Sequence, residues 1–266
     1  MKIKISDFVA KFLVEQGIKY NFSVLGGGAM HLNESLGHQD GLTSVYVQHE
    51  QAAAIAAEGY YRMNNELPLV CCTTGPGGTN TLTGVLGSWL DSIPMLVISG
   101  QVKWQTTTRS TAVAMRSFGD QDFDITKVVA PMTKYAEMVV QPEMIKYHLA
   151  KAIYMAKQGR PGPSWIDIPL NIQWGYVDTD KLIEFNSEEM QNASPRPVSV
   201  RTLDLIIEKL KTAKRPVILG GVELRTNGAY EEFSRMIRKL NIPVVTSFDS
   251  IDLITEDDPL YSGSTG

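Results

Sequence analysis

The sequence is poor in cysteine, with two in 266 residues, and those two are adjacent, Cys71-Cys72. Adjacent thiols cannot staple a framework of loops, which excludes a disulfide scaffold and makes a reducing cytoplasm the expected location. Their setting, LVCCTT, is a short apolar run and predicts a buried strand rather than a redox centre. Long apolar runs are missing too: no segment approaches the ~20 residues needed to cross a bilayer. The N-terminal stretch MKIKISDFVAKFLVEQG interleaves charges with apolar residues, as an amphipathic helix does and a signal peptide does not. Lys and Arg are nowhere concentrated and the formal net charge is −4, so neither nucleic acid nor a membrane surface is an expected partner. Nor is there a G-x-G-x-x-G fingerprint, because Gly26-Gly27-Gly28 continues into Met30 and His31. A nicotinamide-dependent oxidoreductase would therefore rest on topology alone, which does not license it.

What is present is an alternation of helical and extended patterns. Ser6 and Asp7 are placed to cap a first helix closed by Gly17. A strand near 19–25, a short helix near 29–36 and a strand near 43–47 follow. An alanine-rich helix from His49 to Met63, a strand from Leu67 to Thr74, a helix from Gly77 to Trp89 and a strand from Pro94 to Ser99 come next. Residues 101–124 are polar and weakly periodic, and a connection that long is usually functional or mobile. A strand at 134–140, a helix at 143–157 opened by Pro142, and a strand at 164–168 complete the layer. Continuous apolar strands separated by helices predict an α/β fold, a doubly wound, mostly parallel sheet with helices on both faces, over residues 1–170. Residues 171–198, with Pro195-Arg196-Pro197, have the composition of a linker. From 199 to 266 a second, incomplete Rossmann-like α/β unit is expected: helix 200–212, strand 216–219, Gly220-Gly221, helix 229–240 and strand 243–246.

Three loops, each after a predicted strand, are candidates for chemistry, since ligands of open α/β sheets sit at the carboxyl ends of strands. They are Leu25-Gly26-Gly27-Gly28, Gln48-His49-Glu50-Gln51 and Thr74-Gly75-Pro76-Gly77-Gly78-Thr79-Asn80. Singly, each has a plain structural reading: a tight turn, a carboxylate at a helix N-terminus, a turn that lets two backbones approach.

Together, the segments VQHEQAAAIAAEGYYR, TTGPGGTNTLTG, WLDSIPMLVISGQV and GRPGPSWIDIP resemble, in order and spacing, the N-terminal pyrimidine-binding domain of thiamine-diphosphate enzymes, most nearly acetolactate synthase and its relatives. The resemblance implies that Glu50, in His-Glu-Gln, hydrogen-bonds ring nitrogen N1′ of the aminopyrimidine. A carboxylate there favours the imino tautomer, whose 4′-nitrogen takes the proton from thiazolium C2. By the same correspondence Leu25 (a position commonly proline in the family), Gly26, Thr74, Gly75, Pro76, Gly77 and Asn80 line the pyrimidine pocket. Gln121, in Gly119-Asp120-Gln121-Asp122, matches the glutamine of the family's Phe-Gln-Glu segment and is implied to face the substrate; its changed neighbours Asp120 and Asp122 point to an altered acceptor. The paired histidines of the simple pyruvate-decarboxylase branch are absent from 101–120, and His49 is expected to orient the Glu50 loop.

The resemblance further implies a cytoplasmic, homodimeric or tetrameric enzyme, a thiamine-diphosphate-dependent transferase or lyase. It would decarboxylate a 2-keto acid, pyruvate first, and pass the acyl unit to a carbonyl acceptor such as a second keto acid or a keto-sugar. The family holds the diphosphate and Mg2+ on a separate domain through a Gly-Asp-Gly motif, which these residues lack. No metal ligand is therefore assigned, and Asp249, Asp252, Asp257 and Asp258 are expected to be solvated. FAD, held in part of the family by the central domain, is left open. A different class of function, a catalytically silent module or split subunit acting as a dimerisation half, is the alternative.

Overall fold

The computed structural model describes residues 1–190 and 197–265, and the chain divides into two compact units, Met1–Ser194 and Pro195–Gly266. The first unit runs β1 (Lys2–Lys4), α1 (Ile5–Glu15), β2 (Tyr20–Ser23), α2 (Met30–His38), β3 (Thr43–Tyr46), α3 (Glu50–Asn64), β4 (Leu69–Cys72), α4 (Pro76–Asn80) and α5 (Leu82–Leu90). It continues with β5 (Leu96–Gln101), α6 (Ile125–Val129), β6 (Tyr135–Met138), α7 (Ile145–Lys157), β7 (Ser164–Pro169), α8 (Leu170–Gln173) and β8 (Tyr176–Asp178). Six strands make one parallel sheet in the order β3-β2-β4-β5-β7-β6.

Every residue of β4, β5 and β7 is buried, which is why these strands read as continuous apolar runs: both faces of the sheet are covered. The two-residue period of a strand sorts them between two cores. Leu69, Cys71, Leu96, Ile98, Ile166 and Ile168 pack with Phe8 and Leu13 of α1 and Ile145 and Leu149 of α7. Val70, Cys72, Val97 and Trp165 pack on the opposite face with Ala53 and Ala57 of α3, Val85 of α5 and Ile125 of α6. This is the doubly wound α/β arrangement that the sequence predicts.

Local expectations hold in part. Gly17 closes α1 at φ +83°, with Gly17 N–H donating to Val14 and Ile18 N–H to Leu13, the paired bonds of a Schellman cap. Ser6 and Asp7 do not cap that helix. It begins at Ile5, with Lys4 at the N-cap and no side-chain cap bond, while Ser6 and Asp7 accept from the Ser35 hydroxyl at 2.8 and 2.6 Å, tying α1 to α2. The single helix expected over 77–89 is two, α4 and α5, separated at Thr81. The Thr81 hydroxyl donates to Gly77 O at 2.9 Å, a back-bond of the kind that bends helices.

Residues 171–190, where the composition suggests a linker, carry α8 and β8. Strand β8 pairs antiparallel with β1, Ile3 opposite Val177, and Phe185 packs edge-on against Tyr147 and at a tilt against Tyr154, both of α7. The remaining linker residues, 191–196, with Pro195 and Arg196, lie outside the described residues. The second unit contains α9 (Val200–Thr212), β9 (Ile218–Gly220), α10 (Glu223–Thr226), α11 (Tyr230–Leu240), β10 (Val244–Thr246) and β11 (Tyr261–Ser264). Its three strands are parallel in the order β11-β10-β9, over a small core that includes Phe233, Ile237, Val244 and Leu260. Among the described residues no helix is long and apolar enough to cross a membrane.

The chain runs from β2 outward to β3 and then returns past β2 to β4, so the strand order reverses between β2 and β4. Ligands of such sheets bind at that reversal, outside the carboxyl ends of the strands. The glycine run follows β2 and the Thr-Gly-Pro-Gly-Gly loop follows β4, so the two loops flank the same opening. Beneath them β5 passes so close that a Cβ on Gly100 would overlap the Gly28 carbonyl and come within 2.6 Å of Ala29 Cα. The obstruction is backbone, which cannot rotate away. Gly100→Ala is expected to cost about 2–3 kcal/mol of stability, read as a lower urea midpoint; an unchanged midpoint would show that the loop is free to rise.

Candidate functional site

The carboxylate at the centre of the site is placed by a helix start. His49 is the N-cap of α3, and its Nδ1 accepts from Gln51 N–H at 3.1 Å, satisfying one of the free amides of the first turn. His49 thus orients the loop, and Glu50 becomes the first residue of α3, where the helix dipole favours a negative charge. Glu50 is 8% exposed. Its Oε2 accepts from Asn80 Nδ2 at 3.0 Å, and its Oε1 lies 3.3 Å from where a Cβ on Gly77 would be. Gly77 therefore puts no side chain of its own beside the second oxygen, and the Thr73 methyl is the neighbouring group there.

Thr73, the first residue of TTGPGGTNTLTG but not among the expected pocket residues, joins the loops after β2 and β4. Its hydroxyl accepts from Gly28 N–H at 3.0 Å, and its side chain fills the positions that a Cβ on Gly26 or Gly77 would take. Gly75 adopts φ +57°, ψ −117°, a conformation open in practice only to glycine. A Cβ there would also lie 2.7 Å from the Gln121 carbonyl oxygen. Gln121 itself is an exposed residue at φ +61°, uncommon for a non-glycine residue.

A cavity of about 530 Å3 is lined by Gly26, Gly27, Gly28, Thr73, Thr74 and Gln121, with Val102, Lys103, Thr106, Asp120 and Leu170. The structure therefore gathers Gly26, Thr74 and Gln121 around one opening. It sets Glu50, Gly77 and Asn80 together beside it, with Thr73 and Gly75 between the two groups. Pro76 is the exposed first residue of α4, and Leu25 is 60% exposed and belongs to neither group.

The polar stretch 101–124 forms two short 3-10 turns and is otherwise irregular up to α6. The buried Asp122 carboxylate holds it, accepting from Thr108 N–H at 2.7 Å and Phe118 N–H at 3.2 Å. Behind it, β5 and β7 bury a chain of polar side chains. Trp165 Nε1 donates to Ser99 Oγ at 2.8 Å, and Ser99 donates to Asp167 Oδ1 at 2.6 Å. Gln101 Nε2 donates to Asp167 Oδ2 at 3.0 Å and to Phe123 O at 2.9 Å, while Gln101 Oε1 accepts from the Thr74 hydroxyl at 2.6 Å. Burial raises the Asp167 carboxyl to about 7, against the lowering effect of the Ser99 and Gln101 hydrogen bonds. Sequence inspection missed Ser99, Gln101 and Asp167 because they sit in strands whose other residues are apolar; the available signal was a carboxylate inside WIDIP.

Burial pushes the Cys71 thiol up to about 12 and raises that of Cys72 as well, so neither is a thiolate near neutrality. Among the described residues no group of three or more His, Cys, Asp or Glu is arranged to hold a metal ion. Of the acidic residues near 250, Asp252 pairs with Arg225 and Asp258 with Arg238.

Comparison with known proteins gives two family matches. The profile described as "Thiamine pyrophosphate enzyme, N-terminal TPP binding domain" matches residues 3–124, and "Thiamine pyrophosphate enzyme, central domain" matches residues 203–266. The chain is 33% identical over 91% of its length to the acetolactate synthase isozyme 3 large subunit of Escherichia coli (strain K12), covering 41% of that protein. It is 30% identical over 98% of its length to the acetolactate synthase large subunit of Lactococcus lactis, covering 44%. It is 31% identical over 99% of its length to a probable acetolactate synthase large subunit of Methanocaldococcus jannaschii, covering 43%. The chain thus spans less than half the length of these relatives.

The raised carboxyl has a measurable consequence. Below the ordinary value of 3.8, Asp167 is protonated whether the chain is folded or unfolded; between there and about 7 only the native state keeps the proton. Above about 7 the native state bears a buried charge, so this group's contribution to stability is fully present in acid and is lost as pH rises. Asp167→Asn should therefore gain on wild type, by on the order of 3 kcal/mol, between pH 4 and pH 8. Urea midpoints across that range check this; parallel curves for the two proteins would show that Asp167 does not titrate there.

Proposed function

The chain belongs to the thiamine pyrophosphate enzyme family, and on that premise we propose that it supplies the pyrimidine side of a thiamine-diphosphate site in a 2-keto acid carboligase. The observation that carries this reading is the Glu50 carboxylate: buried, held at Oε2 by Asn80, with Oε1 beside the side-chain-free Cα of Gly77. We assign the flat heterocycle to the cavity wall beside this carboxylate, where Gly26, Gly27 and Gly28 add no side chains and Thr73 and Thr74 form the floor. When bound, the cofactor supplies a carbon acid whose deprotonated form attacks a 2-keto acid and accepts the electrons of decarboxylation.

The chain's own residues act around it. Glu50 Oε1 accepts a hydrogen bond from the ring nitrogen or holds the proton it shares with it, and Asn80 fixes the carboxylate so that this oxygen, not Oε2, is presented. Thr73 and Gly75 set the separation of the walls, and Gln121 offers its amide to the substrate from the cavity. The diphosphate and Mg2+ are assigned to the separate diphosphate-binding domain of the family.

The names of the relatives favour acetolactate synthesis as the reaction, and we take pyruvate as the donor. Lys103 and Asp120 share the cavity wall with Gln121, which suits a polar, hydroxylated acceptor such as a keto-sugar; turnover of pyruvate alone across a panel of hydroxylated ketones would remove that reading. In the full-length enzyme, Glu50→Gln is expected to slow C2 proton exchange of the bound cofactor by at least about 100-fold, the scale of a lost acid–base partner. Exchange into deuterated solvent followed by NMR measures it, and an unchanged rate would sink the assignment.

We also assign self-association to the exposed face of α3 and α5, where Ile55, Leu86 and Leu90 are 42–61% exposed. Ile55→Asp should lower the sedimenting mass of the full-length protein, and an unshifted boundary would overturn this.

A further inference from the structure

The Gln101 amide is saturated, and its orientation is dictated by the backbone. Val102 N–H, which can only donate, lies 3.0 Å from Oε1, and the Phe123 carbonyl, which can only accept, lies 2.9 Å from Nε2. Those two contacts fix which end is oxygen and which is nitrogen. The second lone pair of Oε1 takes the Thr74 hydroxyl proton and the second N–H goes to Asp167 Oδ2. Turning the amide would set donor against donor at Val102 and acceptor against acceptor at Phe123, in a site 1% exposed to solvent.

Both ends of this amide lead to the cavity wall. Through Thr74, whose hydroxyl is also 3.3 Å from the Gln121 carbonyl, it reaches one side of Gln121; through Phe123 it reaches the other. Between those anchors Gln121 sits at positive φ against the bare Cα of Gly75. On its inner side the amide is held by Asp167, which Ser99 and the Trp165 indole hold in turn. None of these bonds reaches Glu50 or Asn80.

We propose that Gln101, backed by Asp167 and Ser99, is a positioning residue that sets the conformation of residues 121–123 and so determines how the acceptor carbonyl is bound. The inference rests on the reading of Gln121 as the substrate-facing amide. It separates two functions on one face of the sheet: cofactor activation belongs to Glu50 and Asn80, and acceptor placement to the Gln101 network.

The full-length enzyme, with pyruvate as donor and 2-ketobutyrate as acceptor, tests it. Gln101→Glu keeps an oxygen toward Thr74 and Val102 but removes both donors and sets a second carboxyl against Asp167. It should raise the acceptor KM about tenfold, the scale of one lost buried hydrogen bond, while C2 proton exchange stays within about twofold of wild type. Ser99→Ala, which removes only a hydroxyl behind Asp167, should shift KM in the same direction by a smaller factor, and it serves if the first variant does not fold. Combining Gln101→Glu with Asp167→Asn reverses the polarity of the lost bond and should recover part of the KM, a coupling that general loss of stability would not produce. Unchanged acceptor KM in variants whose exchange is normal overturns the positioning role alone. Exchange that falls as KM rises overturns the separation of functions. Failure of the wild-type enzyme to accelerate exchange overturns the cofactor reading and this inference with it.

Discussion

The site depends on how closely two loops approach over one sheet. The loops after β2 and β4 leave adjacent strands in the same direction, so they compete for the same few ångströms, and most side chains in that space would push them apart. The structure resolves the competition with one threonine between glycines. Thr73 supplies the side chain that Gly26, Gly28 and Gly77 share as a neighbour, and its hydroxyl holds one loop by a backbone amide. The cleft, its width and the access to Glu50 follow from that packing. A bulkier residue at Gly26, Gly28 or Gly77 would run into the Thr73, Thr74 or Glu50 side chains, whereas one at Gly100 would run into the Gly28–Ala29 backbone.

The second constraint is polar. A parallel sheet covered on both faces leaves no water for a stray carboxylate, yet β5 and β7 bury Ser99, Gln101 and Asp167. Buried polar groups are tolerated when every donor meets an acceptor, and here the partners are aligned by strand register: Ser99 lies opposite Asp167 in the β5–β7 pairing. The regular ladder thereby carries an irregular segment, because the last link of the chain is the Phe123 carbonyl beyond the sheet. The network stiffens the 121–123 segment without any regular structure forming there.

How much of this was legible in the sequence varies with the kind of signal. The doubly wound fold was legible because both-face burial writes itself as runs such as LVCC and LVIS. Glu50 was legible because a strand end, a capping histidine and an alanine-rich helix bracket it. Thr73 and Gln101 were not, since their importance lies in which distant backbone groups they meet. The ribbon of β1 and β8 was hidden for the same reason: three residues on each side have no period to read, and only the pairing makes them strands. Ser6 and Asp7 show a related failure. They have the chemistry of helix caps, but burying Ile5 in the core moves the N-cap back to Lys4, two residues before Ser6, and leaves them to bond α2 instead.

The β1–β8 ribbon has a bearing on how the chain comes to be folded. Strand β1 is synthesised before any other element described here, yet its only ladder partner is Tyr176–Asp178, after the whole six-stranded sheet. At ~5–20 residues per second, ribosomal synthesis keeps β1 waiting for on the order of ten seconds or more. During that interval an unpaired strand edge is exposed beside the emerging sheet, and its two lysines, Lys2 and Lys4, are the kind of residue that discourages pairing with the wrong chain. Closure of the ribbon is thus a late, long-range event, and the first unit becomes topologically complete only when its last strand leaves the ribosome.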